Sequence, residues 1–418
     1  MHQKTPLKAR LQAKRSQIGL DWLNFFIADV QTGFGPFVAV YLATQHWTQS
    51  EIGYVMALGG VASVVSQMPA GALVDAVSAK RLLIGVSLAI ITGCAVTDAL
   101  WPSFWPVAIA EVLHGSTAGI IRFSMAALAL GLCGHRALSG RLGRNQRFNA
   151  LGTAVTAALM GVVGQIFSPA APFYITALLC IPAALSLSLI RGGEIDYAAA
   201  RSASDRANPR QAHRLRDAAR NRQLYVFIGG LFLFQVANAA LVPLATARTG
   251  YEHEGSAELI TAAVLVVPQL LTALVAGWVA HRADEWGRKP LMLIGLATAS
   301  LRAVCFAFAG NAWLLVPIQL FDGLSAAIIG VLTPLVIADL TRGTGRYNLA
   351  QGAAGTAIGI GAAVSMAGSG YLVQHFGYTA GFLTLGAIAA CGIVVLWLLL
   401  AETKSSEFAK YAAQQARA

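Results

Sequence analysis

Several ionisable side chains lie inside long apolar stretches, where a polar group is costly unless it has a partner or a function. Glu111, His114 and Arg122 fall on one stripe of a helix, at steps that repeat its turn. Glu111 and His114 lie one turn apart and can share a proton or a hydrogen bond, whereas Arg122 is too far along the helix to reach them directly. The pair predicts a proton-binding site or, alternatively, only a hydrogen bond between helices.

Arg122 and Asp29 are further charged groups within apolar stretches. Arg122 is expected either to bind an anionic group of a solute or to neutralise Glu111 or Asp29. A buried carboxylate such as Asp29 can bind a proton or a solute, or it can only make a hydrogen bond to a neighbouring helix. Because successive residues of a helix are rotated by about 100 degrees, Asp29 and Gln31 cannot face the same side equally.

Polar positions recur in the second half of the chain. The block around Glu111 and His114 aligns with a later block, so that Glu111 corresponds to Gln319 and His114 to Asp322. Asp322 can also form an ion pair with Arg302 inside the second half. Repeated polar positions with different chemistry are expected when two halves of one scaffold line an asymmetric site. The predicted substrate and proton pathway consists of Asn24, Asp29, Gln31, Glu111, His114, Arg122, Gln235, Asn238, Gln319 and Asp322.

A short charged stretch between apolar runs occurs twice. Residues 71–83 read G-A-L-V-D-A-V-S-A-K-R-L-L, and residues 280–291 read A-H-R-A-D-E-W-G-R-K-P-L, so that Asp75 matches Asp284. These residues resemble the loop between the second and third helices of the major facilitator superfamily, whose pattern is G-x-L-x-D-R-x-G-R-K-x-x-L. The resemblance covers nearly the whole chain and says little about the substrate.

The charged stretches predict an electrostatic latch. Asp75 is expected to approach the N-terminus of the eleventh span near residues 346–348, and Asp284 the N-terminus of the fifth span near residues 144–145. Alternatively, the basic residues of these loops only fix the topology. The predicted latch consists of Asp75, Lys80, Arg81, Asp284, Arg288 and Lys289.

The resemblance also implies the fold. It implies an all-α membrane protein with twelve transmembrane helices in two pseudo-symmetric six-helix bundles, which rock about a site at the middle of the bilayer. In that family, helices 1, 4, 7 and 10 line the cavity. The predicted site residues lie on the same four spans, so polarity and implied location agree.

The elements that position these residues are apolar runs. With 56% hydrophobic and only 12% charged residues, the 418-residue chain is too apolar for an ordinary globular enzyme. A helix needs about 20 apolar residues to cross the hydrocarbon core, and an open sheet cannot satisfy its backbone in lipid. The predicted spans lie near residues 19–43, 51–74, 81–100, 104–132, 146–168, 172–190, 223–247, 257–279, 289–309, 312–339, 347–373 and 378–400.

The basic residues follow a pattern along the chain. Thirty Lys and Arg residues give a formal net charge of +11, but nearly all of them lie in tails or in loops after even-numbered spans. This distribution is typical of cytoplasmic loops, so we expect no nucleic-acid partner, cytoplasmic N- and C-termini and a bacterial inner membrane. The predicted domains are a tail (1–18), a six-helix bundle (19–190), a linker loop (191–222), a second bundle (223–400) and a tail (401–418).

These features predict a secondary transporter that moves a small organic solute by alternating access, coupled to protons, with export of a drug or metabolite preferred. Uptake or uniport of a small organic anion is the alternative that Arg122 suggests. A non-transporting receptor or assembly protein that uses the Arg-rich loop is a second alternative. Since no nucleophile–base pair, metal-ligand cluster or phosphate-binding loop is recognisable, we expect no enzyme activity, cofactor or metal, and we expect a monomer.

Overall fold

The described residues of the first half of the chain form six long helices. The computed structural model describes residues 7–32, 38, 41–42, 44–201, 221–252 and 257–404. The helices are α1 (Leu7–Thr32), α2 (Gln49–Ala76), α3 (Lys80–Leu100), α4 (Phe104–Cys133), α5 (Leu138–Ile166) and α6 (Ala171–Leu189). Two short 3₁₀ turns follow, at Gly192–Glu194 and Ala199–Arg201.

The second half is also helical. Its helices are α7 (Arg222–Asn238), α8 (Leu241–Glu252), α9 (Ala257–Trp286), α10 (Arg288–Phe308), the single turn Leu315–Ile318, α11 (Leu320–Leu340) and α12 (Tyr347–Leu399). Within α12 the backbone is non-helical at Gly377, where φ is 82°. Glycine adopts this conformation without steric cost, and its position separates the predicted eleventh and twelfth spans.

In the part of the chain that the structure describes, eight helices are long and apolar enough to cross a membrane. Twelve spans were predicted, and α12 alone contains two of them, one on each side of the non-helical Gly377. The predicted first span extends beyond α1 into residues that lie partly outside the described ranges.

Helix α1 begins well before the predicted span, at Leu7, so that residues 7–18 of the predicted tail are helical. This segment contains no Gly or Pro and is rich in Ala, Leu, Lys, Arg and Gln, which are strong helix formers. Ser16 is buried, and its Oγ accepts a hydrogen bond of 3.1 Å from the backbone N–H of Arg191. The end of the predicted tail is therefore packed against the residue that follows α6.

The chain divides into two compact units. Unit 1 comprises residues 1–207 and 343–352, and unit 2 comprises residues 208–342 and 353–418. In unit 1, α4 packs against α2 and α3, α3 also packs against α6, and α1 packs against α5 and α6. In unit 2, α11 packs against α9 and α10. The first residues of α12, which the sequence assigned to the second bundle, pack with unit 1.

Close helix contacts in unit 1 depend on glycine. A Cβ atom on Gly115 of α4 would lie 2.4 Å from the carbonyl oxygen of Gly59 in α2. A Cβ atom on Gly152 of α5 would lie 2.1 Å from the carbonyl oxygen of Phe25 in α1. Such distances exclude any larger residue unless the backbones move apart, so these glycines set the spacing of the helices that carry the polar residues.

Candidate functional site

Two buried carboxylates lie close together in unit 1. Asp98 is in the last turn of α3, and Glu111 is near the start of α4. They are 2% and 6% exposed, and they lie near enough for their charges to interact. Asp98 Oδ1 is buried without a hydrogen-bond partner among the described residues. Two carboxylates whose charges interact in a medium of low dielectric constant cannot both be charged cheaply, so these two groups are suited to bind a proton.

The surroundings of this carboxylate pair come from three helices. Gly59 of α2 leaves room for Glu111, since a Cβ atom there would lie 2.8 Å from Glu111 Oε2. The thiol of Cys94 on α3 lies close to both carboxylates and to the backbone of His114. Sequence reasoning found Glu111 and His114 but missed Asp98, although an aspartate near the end of an apolar run was a usable signal. No group of three or more potential metal ligands occurs in the described residues.

Arg122 is a charged residue in the middle of α4 that keeps an exposed surface. Its Nη2 donates a 2.8 Å hydrogen bond to Oε1 of Gln67 on α2, and its Cζ lies 5.4 Å from the ring centroid of Phe123. Among the described side chains its polar partner is thus Gln67, and neutralisation of Glu111, which was one of the expectations, is not observed. A guanidinium has several N–H donors, so Arg122 can bind an anionic group while it keeps its hydrogen bond to Gln67.

Asp75 of α2 contacts the N-terminus of α12. Its Oδ1 accepts hydrogen bonds from the backbone N–H (3.2 Å) and Nδ2 (2.8 Å) of Asn348, and its Oδ2 accepts one from the N–H of Leu349 (2.8 Å). Gly71 permits this approach, because a Cβ atom there would lie 2.2 Å from the carbonyl oxygen of Asn348. The carboxylate therefore caps the positive end of the helix.

Lys80 lies near enough to Asp75 for their charges to interact, whereas Arg81 lies in different surroundings. Lys80 is fully buried, and its Nζ donates a 2.7 Å hydrogen bond to the carbonyl oxygen of Val77. Arg81 lines a separate cavity between α3 and α6. Within unit 1, Asp75 is thus the predicted latch residue for which hydrogen bonds to the start of α12 are seen among the described residues.

The matching stretch in unit 2 forms its own network. Arg288 Nη1 lies 3.3 Å from Asp284 Oδ1, and Arg288 Nε donates a 3.0 Å hydrogen bond to Asp339 Oδ2. Glu402 caps α10, because its two carboxylate oxygens accept hydrogen bonds from the backbone N–H groups of Arg288 (2.8 Å) and Lys289 (3.1 Å). This network joins α9, α10, α11 and the segment after α12 within one unit.

The expected partners of Asp284 near residue 145 are engaged within unit 1. Asp21 of α1 forms ion pairs with Arg141 and Arg144 of α5, and Arg144 Nε lies 2.8 Å from Asp21 Oδ2. Arg141 Nε also donates a 2.7 Å hydrogen bond to Asn145 Oδ1. Burial lowers the pKa of the Arg141 guanidinium, and the neighbouring carboxylate of Asp21 opposes that change. The sequence did not indicate this network.

A further set of polar groups lies in unit 2. Arg302 of α10 is 1% exposed and forms an ion pair with Asp322 of α11, which is the pairing considered from the sequence. Nε and Nη2 of Arg302 have no hydrogen-bond partner among the described residues. Gln319 donates a 2.9 Å hydrogen bond from Nε2 to the carbonyl oxygen of Val264, while its Oε1 is buried without a partner in the described part of the chain.

The other predicted pathway residues lie on α1 and α7. Asn24 is buried and donates a 2.7 Å hydrogen bond to a carbonyl one turn earlier in α1. Gln235 and Asn238 of α7 are half-buried, and Oδ1 of Asn238 has no partner within the described ranges. Asp29 and Gln31 belong to α1, but their side chains lie outside the described part of the structure.

Comparison with known proteins identifies the architecture. The model of the Major Facilitator Superfamily matches residues 21–283 and 254–417. The chain belongs to this superfamily. An uncharacterized MFS-type transporter of Mycobacterium tuberculosis is 36% identical over 392 residues, which cover 93% of this chain and 94% of the relative. A multi-drug resistance efflux pump PmrA homolog of Lactococcus lactis is 30% identical over 136 residues, covering 32% of this chain and 33% of the relative.

A solved structure agrees with this assignment at the level of the fold. The MFS transporter FucP, crystallised in an outward conformation, superimposes with a TM-score of 0.70 at 15% identity, covering 92% of this chain and 98% of that chain. The chain therefore has the all-α MFS fold of twelve transmembrane helices in two six-helix bundles. It is a membrane transporter of this superfamily and not an enzyme.

Proposed function

We propose that this superfamily member is a secondary transporter that exports a small organic solute, drug-like or metabolic, in exchange for protons. The observation that supports proton coupling is the presence of two buried carboxylates, Asp98 and Glu111, whose charges interact. Export is supported by the Lactococcus lactis relative, which is named as a multi-drug efflux pump. In this proposal the protein works as a monomer in a bacterial inner membrane, with both termini in the cytoplasm.

The proposed coupling follows from the cost of a charge in a membrane. A charged side chain at the bilayer centre costs at least about 2.5–3.5 kcal/mol, so a carboxylate that loses contact with water favours its protonated form. In the proposal, Asp98 and Glu111 hold one proton between them and release it where water reaches the pair. If two conformations of the protein differ in this water access, they bind the proton with different affinity. The proton gradient then shifts the equilibrium between these conformations.

Proteoliposomes that contain a pH-sensitive dye test this coupling. Tetracycline and ethidium serve as probe solutes, and both proton movement and solute counterflow are recorded. We expect Glu111→Gln and Asp98→Asn to abolish solute-driven proton movement while counterflow continues, because exchange of solute does not require a proton. Asp196→Asn, which changes an exposed carboxylate in the same unit, should preserve both signals.

Two outcomes would count against the carboxylate pair. Coupled proton movement that survives in both variants would remove Asp98 and Glu111 from the pathway. Loss of coupling in Asp29→Asn alone would move the proton site to α1. Counterflow in each variant shows that the protein is folded, so a loss of coupling cannot be attributed to misfolding.

A second candidate is uptake or uniport of a small organic anion. It is favoured by Arg122, a partly exposed arginine in the middle of α4 whose Nη2 donates a hydrogen bond to Gln67. Radiolabelled carboxylates replace the drug-like probes in the same vesicles. Carboxylate uptake that is lost in Arg122→Gln and partly restored in Arg122→Lys would favour this function over export of a drug-like solute.

A further inference from the structure

A cavity of about 490 Å³ lies between the start of α3, the end of α6 and the turn that follows α6. Its polar end is formed by Arg81 and Tyr197, and its apolar walls are formed by Leu82, Gly85, Ala184 and Leu187. Asp98 is at the opposite end of α3, so this cavity is separate from the carboxylate pair. It therefore needs its own explanation.

The guanidinium of Arg81 supplies an unused positive charge to the cavity. Its Nε is buried and has no hydrogen-bond partner among the described residues, and within these residues no carboxylate lies at ion-pair distance. Its Nη1 would lie 3.7 Å from a Cβ atom on Gly192, which places the charged group beside the turn that closes the polar end. Buried donors are normally hydrogen-bonded, so an arginine with such a donor at a cavity is suited to bind an anionic group.

The start of α3 adds to the attraction for an anion. The N-cap residue, Ala79, has no side-chain acceptor that could cap this N-terminus, and the first turn contains no acidic residue. The partial positive charge of the helix end thus attracts an anion, as the charge of Arg81 does. Guanidinium groups bind phosphate oxygens in a bidentate geometry, which makes a phosphate group a suitable occupant of the polar end.

The apolar end does not suit a soluble anion. Gly85 leaves the space between the helices open, because a Cβ atom there would meet only Leu187 Cδ2, at 3.8 Å. Leu82 and Leu185 extend the apolar surface outward and are 64% and 63% exposed, as expected for side chains that face hydrocarbon. A ligand that fills both ends must carry a negatively charged head and an alkyl chain.

We propose that this cavity binds an anionic phospholipid. The phosphate contacts Arg81 and the hydroxyl of Tyr197, and one acyl chain lies between α3 and α6 along Leu82, Gly85 and Leu187. Basic pockets between transmembrane helices at the cytoplasmic surface are suited to anionic headgroups, and the charge distribution of this chain predicts that the start of α3 lies on that side. The bound lipid would stabilise the start of α3.

Thermal unfolding of the purified full-length protein in detergent tests the proposal. Phosphatidylglycerol, phosphatidylcholine and inorganic phosphate are titrated separately, because a ligand that binds only the folded protein raises its apparent melting temperature. We expect stabilisation by phosphatidylglycerol alone. Arg81→Gln should weaken this binding about tenfold or more through loss of a charge-assisted contact. Arg136→Gln, at an exposed arginine in the same unit, should leave it unchanged.

A second variant tests the acyl-chain end without changing a charge. Gly85→Leu fills the space between α3 and α6, so it should also abolish the stabilisation by phosphatidylglycerol. Full stabilisation in Gly85→Leu, or in Arg81→Gln, would overturn the proposal. Equal stabilisation by inorganic phosphate would overturn it in favour of a free-phosphate site, and equal stabilisation by phosphatidylcholine would show that the negative headgroup is not recognised. If Arg81→Gln does not fold, Gly85→Leu decides the question.

Discussion

Two pairs of buried ionisable residues in unit 1 differ in kind. Asp21 with Arg141 is a pair of opposite charge that joins two helices, and its members are 1% and 5% exposed. Asp98 and Glu111 are of the same sign, and one of their oxygens is buried without a partner among the described residues. A pair of the first kind holds helices together, whereas a pair of the second kind costs stability and is expected where protons are exchanged.

The opposite-charge pair yields a prediction about folding. Asp21→Asn leaves the buried Arg141 without its counter-ion, and removal of one partner of a buried ion pair costs about 3–5 kcal/mol. We expect a marked fall in the apparent melting temperature of the purified protein, measured in the same detergent as the unaltered chain. Asp196→Asn changes an exposed carboxylate whose Oδ1 accepts hydrogen bonds from the backbone N–H groups of Ala198 and Ala199. The side-chain oxygen of Asn can accept the same bonds, so this variant should melt close to the original protein. An unchanged melting temperature for Asp21→Asn would mean that this ion pair does not hold α1 on α5.

The sequence predicted only some of the residues of the site. Helical spacing correctly put Glu111, His114 and Arg122 on one helix, because that information is local. The partner of Arg122 is Gln67 on α2, and the neighbour of Glu111 is Asp98 on α3. Neither contact could be predicted, because both depend on how separate helices pack.

Helix ends provide the next level of organisation. The N-termini of α10 and α12 are both capped by a carboxylate that comes from another segment and accepts hydrogen bonds from two successive backbone amides. For α12 the carboxylate is Asp75, and for α10 it is Glu402. The sequence located the contact of Asp75 to within a few residues because the charged stretch resembles a family pattern. The role of Glu402 has no such signal and depends on the packing of the segment after α12.

We propose that the contact of Asp75 with α12 acts as a latch, which leads to a prediction at the scale of this helix. Asp75→Asn removes a charge-assisted interaction with the amides of Asn348 and Leu349, and such hydrogen bonds contribute about 1.5–3 kcal/mol. Hydrogen exchange at these two amides should therefore accelerate roughly 10- to 100-fold if they exchange by local opening, and solute transport should fall.

A matched variant separates a local from a general effect. Asp284→Asn changes the corresponding carboxylate in unit 2, so exchange at Asn348 and Leu349 should stay as in the original protein. Equal acceleration in both variants would indicate general destabilisation. No acceleration in Asp75→Asn would show that the contact does not protect the start of α12.

On the scale of the whole molecule, the fold was predictable because it depends on composition and repeats rather than on individual contacts. Apolar runs, basic loops and a repeated charged stretch together indicated two helical bundles, and the superfamily assignment confirms that architecture. The first and last residues of the linker could be predicted less well from the sequence. Ile195 and Ala200 fall in the predicted linker, yet both are buried, and Asn348 Nδ2 donates a 3.4 Å hydrogen bond to the carbonyl oxygen of Ala200.

This packing changes how the linker should be tested. Replacement of residues 202–220, which lie outside the described part of the chain, by a shuffled sequence of the same composition should leave solute flux unchanged, because basic residues set the membrane topology by their charge and not by their order. Replacement of residues 195–201 should instead reduce stability, since it removes Ile195 and Ala200 from the core of unit 1. Loss of flux after the first replacement, with normal stability, would favour a partner-binding role for the loop.

Gly377 has a practical consequence for mapping which face of the membrane each segment occupies. Gly377 has a non-helical backbone, with a φ of 82°, and it lies between the last two predicted spans. An epitope tag or reporter enzyme inserted at Gly377 would distort the two hydrophobic helices that meet there. A reporter that is inactive for this reason would then be wrongly assigned to the opposite side of the membrane. Reporters are better placed in the turn at residues 167–170, between α5 and α6, where several non-helical residues are already present.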